Sequence, residues 1–296
     1  MSDVELLSIS SGDLTARINP LGAELWSLAD ARGREFMTAA DPAYWTGHAP
    51  LLFPIVGALN EGRYRVNGSE YALPRHGFAR HSRFEVLIAE AERVMFSLSA
   101  SDETRKVYPF EFKLNVNFRL IEKKLSVGVG VQNCGDVPMP FSFGFHPAFA
   151  WPLPGGAAKE DHVIEFADAE PHRVRQLEED TGLLSPERRH GPVKGSAFTP
   201  RAELFERDAI IWDKLNSRKI VFGPKAGPRV AVKFPSLPML GIWQKPGADF
   251  LCIEPWQGIA DPVGFSGDFR EKPGVISVAP GQTTFLEMHI AVLDGA

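Results

Sequence analysis

Along most of this chain, apolar residues recur at every second position. Phe112, Leu114, Val116 and Phe118 are spaced by polar residues, and Leu125, Val127, Val129 and Val131 by polar or small ones. Glu122-Lys123 marks the turn between the two runs. A two-residue period buries one face of a strand and wets the other, which suits antiparallel sheets better than a parallel sheet covered by helices. The same pattern predicts strands at residues 4–10 and 14–19 around Ser11-Gly12-Asp13, and a third led by Pro20-Leu21-Gly22-Ala23. Residues 63–66 and 69–73 form the clearest hairpin, because Asn67-Gly68 tolerates the positive φ angles of a type I′ turn. Residues 83–89 pair with 93–100, and further strands fall at 219–222, 229–234, 239–244, 250–254 and 284–292. Amphipathic helices are nearly absent. Residues 178–189 come nearest, but Gly182 and Pro186 argue for a loop. The 24 prolines and 27 glycines are spread through the chain, with no repeat and no separating linker. The expectation is an all-β fold, one large antiparallel β-sandwich domain over residues 1–296.

Composition narrows the function classes. A net charge of −5 gives no basic face for nucleic acid or an anionic membrane. No run approaches the ~18 apolar residues of a membrane span, and Met-Ser-Asp-Val-Glu lacks the pattern of a signal peptide, so a cytoplasmic location is expected. Cys134 and Cys252 each sit in an apolar, strand-like run, and buried free thiols are the natural expectation for both.

Nucleophile-elbow, zincin, P-loop and Cys-x-x-Cys motifs are all missing, and the histidines and cysteines show no metal-ligand spacing. No metal and no cofactor is implied. Two segments stand out instead. Phe141-Ser-Phe-Gly-Phe-His-Pro-Ala-Phe149 places His146 among phenylalanines. On pattern alone it is either a satisfied core histidine or an acid–base group whose cationic form an apolar setting disfavours. Glu254 closes an apolar strand before Pro255-Trp256, either at an exposed strand end or partnered in a cleft, with Trp256 as a flat apolar face for a sugar. Arg75 to His81 gathers four potentially cationic groups, as a solvated loop or as a donor cluster for hydroxyls or an anion. Trp45 to Gly57 reads as core and pocket wall. Asp208 and Asp213 flank Ala209 to Trp212 as turn residues or hydroxyl acceptors, and Glu24 and Asp261 are weaker candidates.

Taken together, Pro20 to Glu24, Ala49 to Gly57, His76 to Arg80, Gly144 to Phe149, Leu204 to Asp208, and Cys252 to Trp256 with Gly258 and Asp261 resemble the aldose 1-epimerase (galactose mutarotase-like) family, in its LacX-like bacterial branch. That resemblance runs nearly end to end and implies a large β-sandwich with mutarotase activity on a small-molecule aldose or aldose phosphate. It implies His146 as catalytic acid, Glu254 as catalytic base, and His76 as a second histidine hydrogen-bonding the sugar. Arg80 is implied in substrate binding, as is Asp208, with Asp213 the alternative aspartate; Arg75 and Trp256 join them as substrate-binding candidates on the reading of the residues themselves. The chain is expected to act as a monomer or homodimer. It departs from the family's Asn-x-x-x-His-x-Tyr-Phe segment by carrying Phe-Gly-Phe-His146-Pro, which leaves the preferred sugar open. Three other readings stand beside mutarotation of a free sugar. One is a hexose-6-phosphate mutarotase, with Arg75 or Arg80 clamping the phosphate. Another is a non-catalytic carbohydrate-binding protein on the same fold. The third is a glycoside hydrolase drawing a second acid from Asp261 or Asp268.

Overall fold

Two large antiparallel sheets carry the fold of the computed structural model, which describes residues 5–294. The start of the first expected strand, at residue 4, lies outside the described residues. In the larger sheet nine strands lie in the order Ala197–Phe198, His162–Phe166, Lys219–Pro224, Arg229–Lys233, Thr283–Leu293, Lys124–Asn133, Phe112–Ile121, Arg93–Ser99 and Glu85–Ala89. Its centre is the pair of alternating runs read from the sequence. Ile121 pairs with Lys124 across Glu122-Lys123, and Phe118 and Val129 point inward.

The second sheet runs Leu184–Arg189, Val174–Leu177, Ile210–Trp212, Met239–Trp243, Phe250–Gln257, Phe143–Phe145 and Leu51–Leu52, with Ala148–Ala150 also paired to Phe250–Gln257. Inner faces of both sheets meet in one continuous core that includes Phe118, Val129 and Ile290 from the first and Phe145, Leu251 and Ile253 from the second. A three-stranded sheet, Leu7–Ser10, Leu14–Asn19 and Glu24–Asp30, adds Ile18 and Leu28 to that core. The hairpin Arg63–Val66 and Ser69–Ala72 turns at Asn67 and Gly68, both at positive φ (53° and 76°), as a type I′ turn requires. Among the described residues the one α-helix is Asp102–Val107, capped by Ser101. No helix there is long and apolar enough to cross a membrane.

Three expectations need correction. Residues 184–189 form a strand rather than a loop, and Pro186 is tolerated because the strand lies at the edge of its sheet. Glu254 does not end its strand, which continues through Pro255 to Gln257. The N–H of Ile253 donates to Pro147 O, so two residues on the nitrogen of Pro255 faces the same side. Proline brings no N–H there, so the ladder lacks one bond at that point. Cys134 is exposed, whereas Cys252 is buried as expected. Strand Lys124–Asn133 ends just before Cys134, where Asn133 Oδ1 accepts from the N–H of Gly135 and turns the chain outward.

Candidate active site

Alternation along Phe250–Gln257 sends Leu251 and Ile253 into the core and Phe250, Cys252, Glu254 and Trp256 to the other face of the sheet. On that face Gly144 pairs with Trp256 and Ala148 with Cys252. Continuing the register from either side puts His146 opposite Glu254, in the bend between Phe143–Phe145 and Ala148–Ala150. The two are therefore cross-strand neighbours, although 108 positions separate them in the sequence. His146 Nε2 lies 3.1 Å from Glu254 Oε2, with the side chains only 10% and 2% exposed.

On the other side Glu254 pairs with Gly241. A Cβ on Gly241 would lie 2.4 Å from the Trp256 ring, and one on Gly144 would lie 2.6 Å from it. The indole therefore lies flat across two glycines on neighbouring strands and floors a cleft of about 250 Å³. That is small beside the roughly 300–1,000 Å³ typical of ligand clefts, and suits an occupant of monosaccharide size. Trp45 and Trp243 complete the apolar wall, their rings 5.1 and 5.9 Å from that of His146. The phenylalanines around His146 in the sequence point instead into the sandwich core, so tryptophans distant in the chain supply its apolar setting. No sequence signal marked Trp243, and Trp45 was legible only as pocket wall.

The polar wall comes from loops. His76 sits at φ 69° and Asp208 at φ 67°, left-handed conformations that side chains adopt only under the constraint of their surroundings. His76 N–H donates to Gly57 O (2.9 Å) while Gly57 N–H donates to His76 Nδ1 (3.1 Å). An accepting Nδ1 places the ring proton on Nε2, so His76 is a neutral donor toward the cleft it lines. Burial, with His146, Arg75 and Arg80 nearby, holds its pKa well below the usual 6.5. Arg75 Nη2 approaches Asp208 Oδ2 at 3.5 Å, both side chains partly exposed, and Arg80 Nη2 donates to Arg75 O at 2.9 Å. The histidine–glutamate pair thus lies at the bottom of the cleft and the Arg75–Asp208 pair at its rim.

His146, Glu254, His76, Arg80, Arg75, Asp208 and Trp256 all line this one cleft. Asp213 does not. It is held by both guanidinium nitrogens of Arg188 (2.7 and 2.5 Å) and by Arg175 (3.4 Å). Glu24 accepts the N–H groups of His48 and Ala49, Asp261 pairs with Lys272 inside the protein, and Asp268 pairs with Arg270. None of these three lines the cleft.

Burial strips charge from both members of the central pair. It pushes His146 down to about 3, with Arg75 and Arg80 adding to the effect. It raises Glu254 well above 4.5, helped by Asp208 and opposed by Arg75 and the Trp256 indole N–H. That N–H approaches the carboxylate without forming a well-aligned hydrogen bond. Over a wide pH range the pair therefore holds one proton between its two members and is neutral overall. One site can then remove a proton from one oxygen of a substrate while giving a proton to another. Although the sequence spacing suggested no metal site, donor atoms of His146, Cys252 and Glu254 lie within 4.8 Å of one another.

Comparison with known proteins gives one consistent relationship. The aldose 1-epimerase family matches residues 5–291. Protein LacX (chromosomal) of Lactococcus lactis subsp. lactis is 32% identical over 290 residues, 95% of this chain and 97% of that protein. Among solved structures, a galactose mutarotase related enzyme from Lactobacillus acidophilus superposes with a TM-score of 0.91 at 34% identity, over 99% of this chain and 98% of that one. A galactose mutarotase-like protein from Lactobacillus casei gives 0.90 at 27% identity, over 98% and 100%.

Proposed function

This chain belongs to the aldose 1-epimerase family, and on that premise we propose that it interconverts the α and β anomers of a free aldohexose by acid–base ring opening and closure. The observation that carries the reading is the buried contact between His146 and Glu254 at the floor of a monosaccharide-sized cleft. Glu254 takes the proton of the C1 hydroxyl while His146 gives a proton to the ring oxygen. The C1–O5 bond breaks, C1=O forms, and the open aldehyde rotates about C1–C2. Closure on the other carbonyl face reverses both transfers. Ring opening leaves Glu254 protonated and His146 neutral, the protonation states that burial favours. His76 and Asp208 hold sugar hydroxyls, and Trp256 and Trp45 accept the apolar C–H face of the ring.

Polarimetry on freshly dissolved α-glucose and α-galactose tests the reading. Each group contributes roughly 10²–10⁴-fold, so His146→Asn and Glu254→Gln should each slow equilibration by that factor while sugar binding persists. Wild-type rates in both variants would overturn it, and saturable binding without acceleration by the wild type would mark a non-catalytic binding protein.

A second reading, mutarotation of a hexose 6-phosphate, is favoured by Arg80. Its buried Nε–H has no acceptor among the described residues, and Arg75 adds a second cation on the same wall. Under that reading glucose 6-phosphate is strongly preferred over glucose, and Arg80→Ala abolishes the preference.

A further inference from the structure

Cys252 has no part in the chemistry above, yet it shares the sheet face with Glu254, two residues away on the same strand. Its neighbours across the ladder are Trp243 and Ala148, and its side chain is fully buried. The fold thus brings a thiol, an imidazole and a carboxylate together with no pair of donor atoms more than 4.8 Å apart. His146 also keeps a buried Nδ1 with no hydrogen-bond partner among the described residues. Around a tetrahedral zinc ion with bonds of about 2.0–2.3 Å, ligand atoms sit roughly 3.3–3.8 Å from one another. Closing the present spacing to that range takes a side-chain adjustment of about 1 Å, with no change in backbone pairing. One sulfur, one nitrogen and one oxygen donor together select a borderline-soft divalent cation over magnesium or calcium.

We propose that His146, Cys252 and Glu254 form an inhibitory site for a zinc-class divalent cation, with its fourth position open to the cleft. Binding displaces two protons to solvent, that of the thiol and the one held by the histidine–glutamate pair. It leaves a thiolate, a neutral imidazole and a carboxylate on the metal. Inhibition follows because the ion occupies both groups assigned to proton transfer, and to that extent the effect on activity rests on the proposed mutarotation. Metal binding itself does not.

Two measurements on the full chain keep the two ideas separate. Titration with Co²⁺, followed by absorption, should give a thiolate-to-metal charge-transfer band at one equivalent in the wild type. That band should vanish in Cys252→Ser and Cys252→Ala and be lost or shifted in His146→Asn. In the anomer-exchange assay Zn²⁺ should inhibit the wild type reversibly, with activity restored by a chelator. Cys252→Ser should keep its basal rate while needing at least tenfold more Zn²⁺ for half-inhibition. No thiolate band in the wild type, or equal Zn²⁺ sensitivity in the wild type and both Cys252 variants, would overturn the site. A wild type that shows the band but no mutarotation would keep the site and sink the mutarotase reading.

Discussion

At the scale of single residues, the site depends on one proton held by two buried groups. Exposed side chains with the usual values of 4.5 and 6.5 would make glutamate anionic and histidine cationic only between those values, and activity would fall above about 6.5. Here the order is reversed. His146 takes a second proton only near pH 3, and the pair surrenders its last proton only well above the ordinary carboxylate range. The one-proton state, and with it kcat/KM, should therefore persist on the acid side well below pH 4.5. The acid limb lies near 3, and both limbs belong to the pair rather than to one residue. A profile whose acid limb falls at 4.5 would show the pair to be solvated and independent. Each member was legible in the sequence as an odd polar residue in an apolar strand. Their pairing was not, because a cross-strand neighbour leaves no local signal, and only the family resemblance supplied it. Residue pattern alone left Asp208 and Asp213 equivalent, and the family resemblance favoured Asp208. The structure separates them because the bidentate grip of Arg188 occupies Asp213, while Asp208 reaches the cleft.

At the scale of elements, the site is a product of register. A strand whose alternate residues face core and cleft must place Glu254 and Trp256 on the same side, and a one-residue slip would bury both in the sandwich. Gly144 and Gly241 keep this face flat enough for the indole to lie on it. Neither needs a positive φ, so substitution tests contact alone. Gly241→Ala should lift Trp256 from the floor, raising KM or the sugar Kd at least severalfold. Far-UV circular dichroism should be unchanged and Tm should fall by a few degrees. An unaltered sugar affinity would show that the indole is not part of the binding floor. The hairpins and the long alternating strands were readable because period two and Asn-Gly turns are local properties. Strand Leu184–Arg189 was hidden by its proline, which only an edge position makes harmless, and that position is a property of the whole sheet.

At the scale of the whole molecule, one core spans both large sheets, and the loops that shape the cleft are tied beneath it. Lys272 Nζ meets Asp261 Oδ1 at 2.5 Å with both side chains buried, and Asp261 Oδ2 accepts from Asn60 N–H. The Asp261 backbone N–H also donates to Ala58 O, beside the Gly57 that orients His76. Lys272→Met leaves a buried carboxylate unpaired and should cost about 3–5 kcal/mol, a fall in Tm of roughly 5–8 °C. The double change Asp261→Asn with Lys272→Met keeps an acceptor for Asn60 without a buried charge, and should recover part of the loss. Equal Tm values for wild type and the single variant would show the pair to be energetically idle. The β-sandwich was legible because alternation runs almost the full length of the chain. Which strands carry the two halves of the site was not, since Phe143–Phe145 and Phe250–Gln257 lie far apart in the chain. In the proposed reaction His146 and Glu254 exchange one proton with a sugar. Its most direct test is magnetisation exchange between the α and β C1–H signals of an aldohexose at equilibrium, with wild type and with Glu254→Gln. Exchange should be accelerated by the wild type and fall by at least about 100-fold in the variant, which still binds the sugar. Exchange no faster than in buffer with the wild type, or equally fast with the variant, would contradict it.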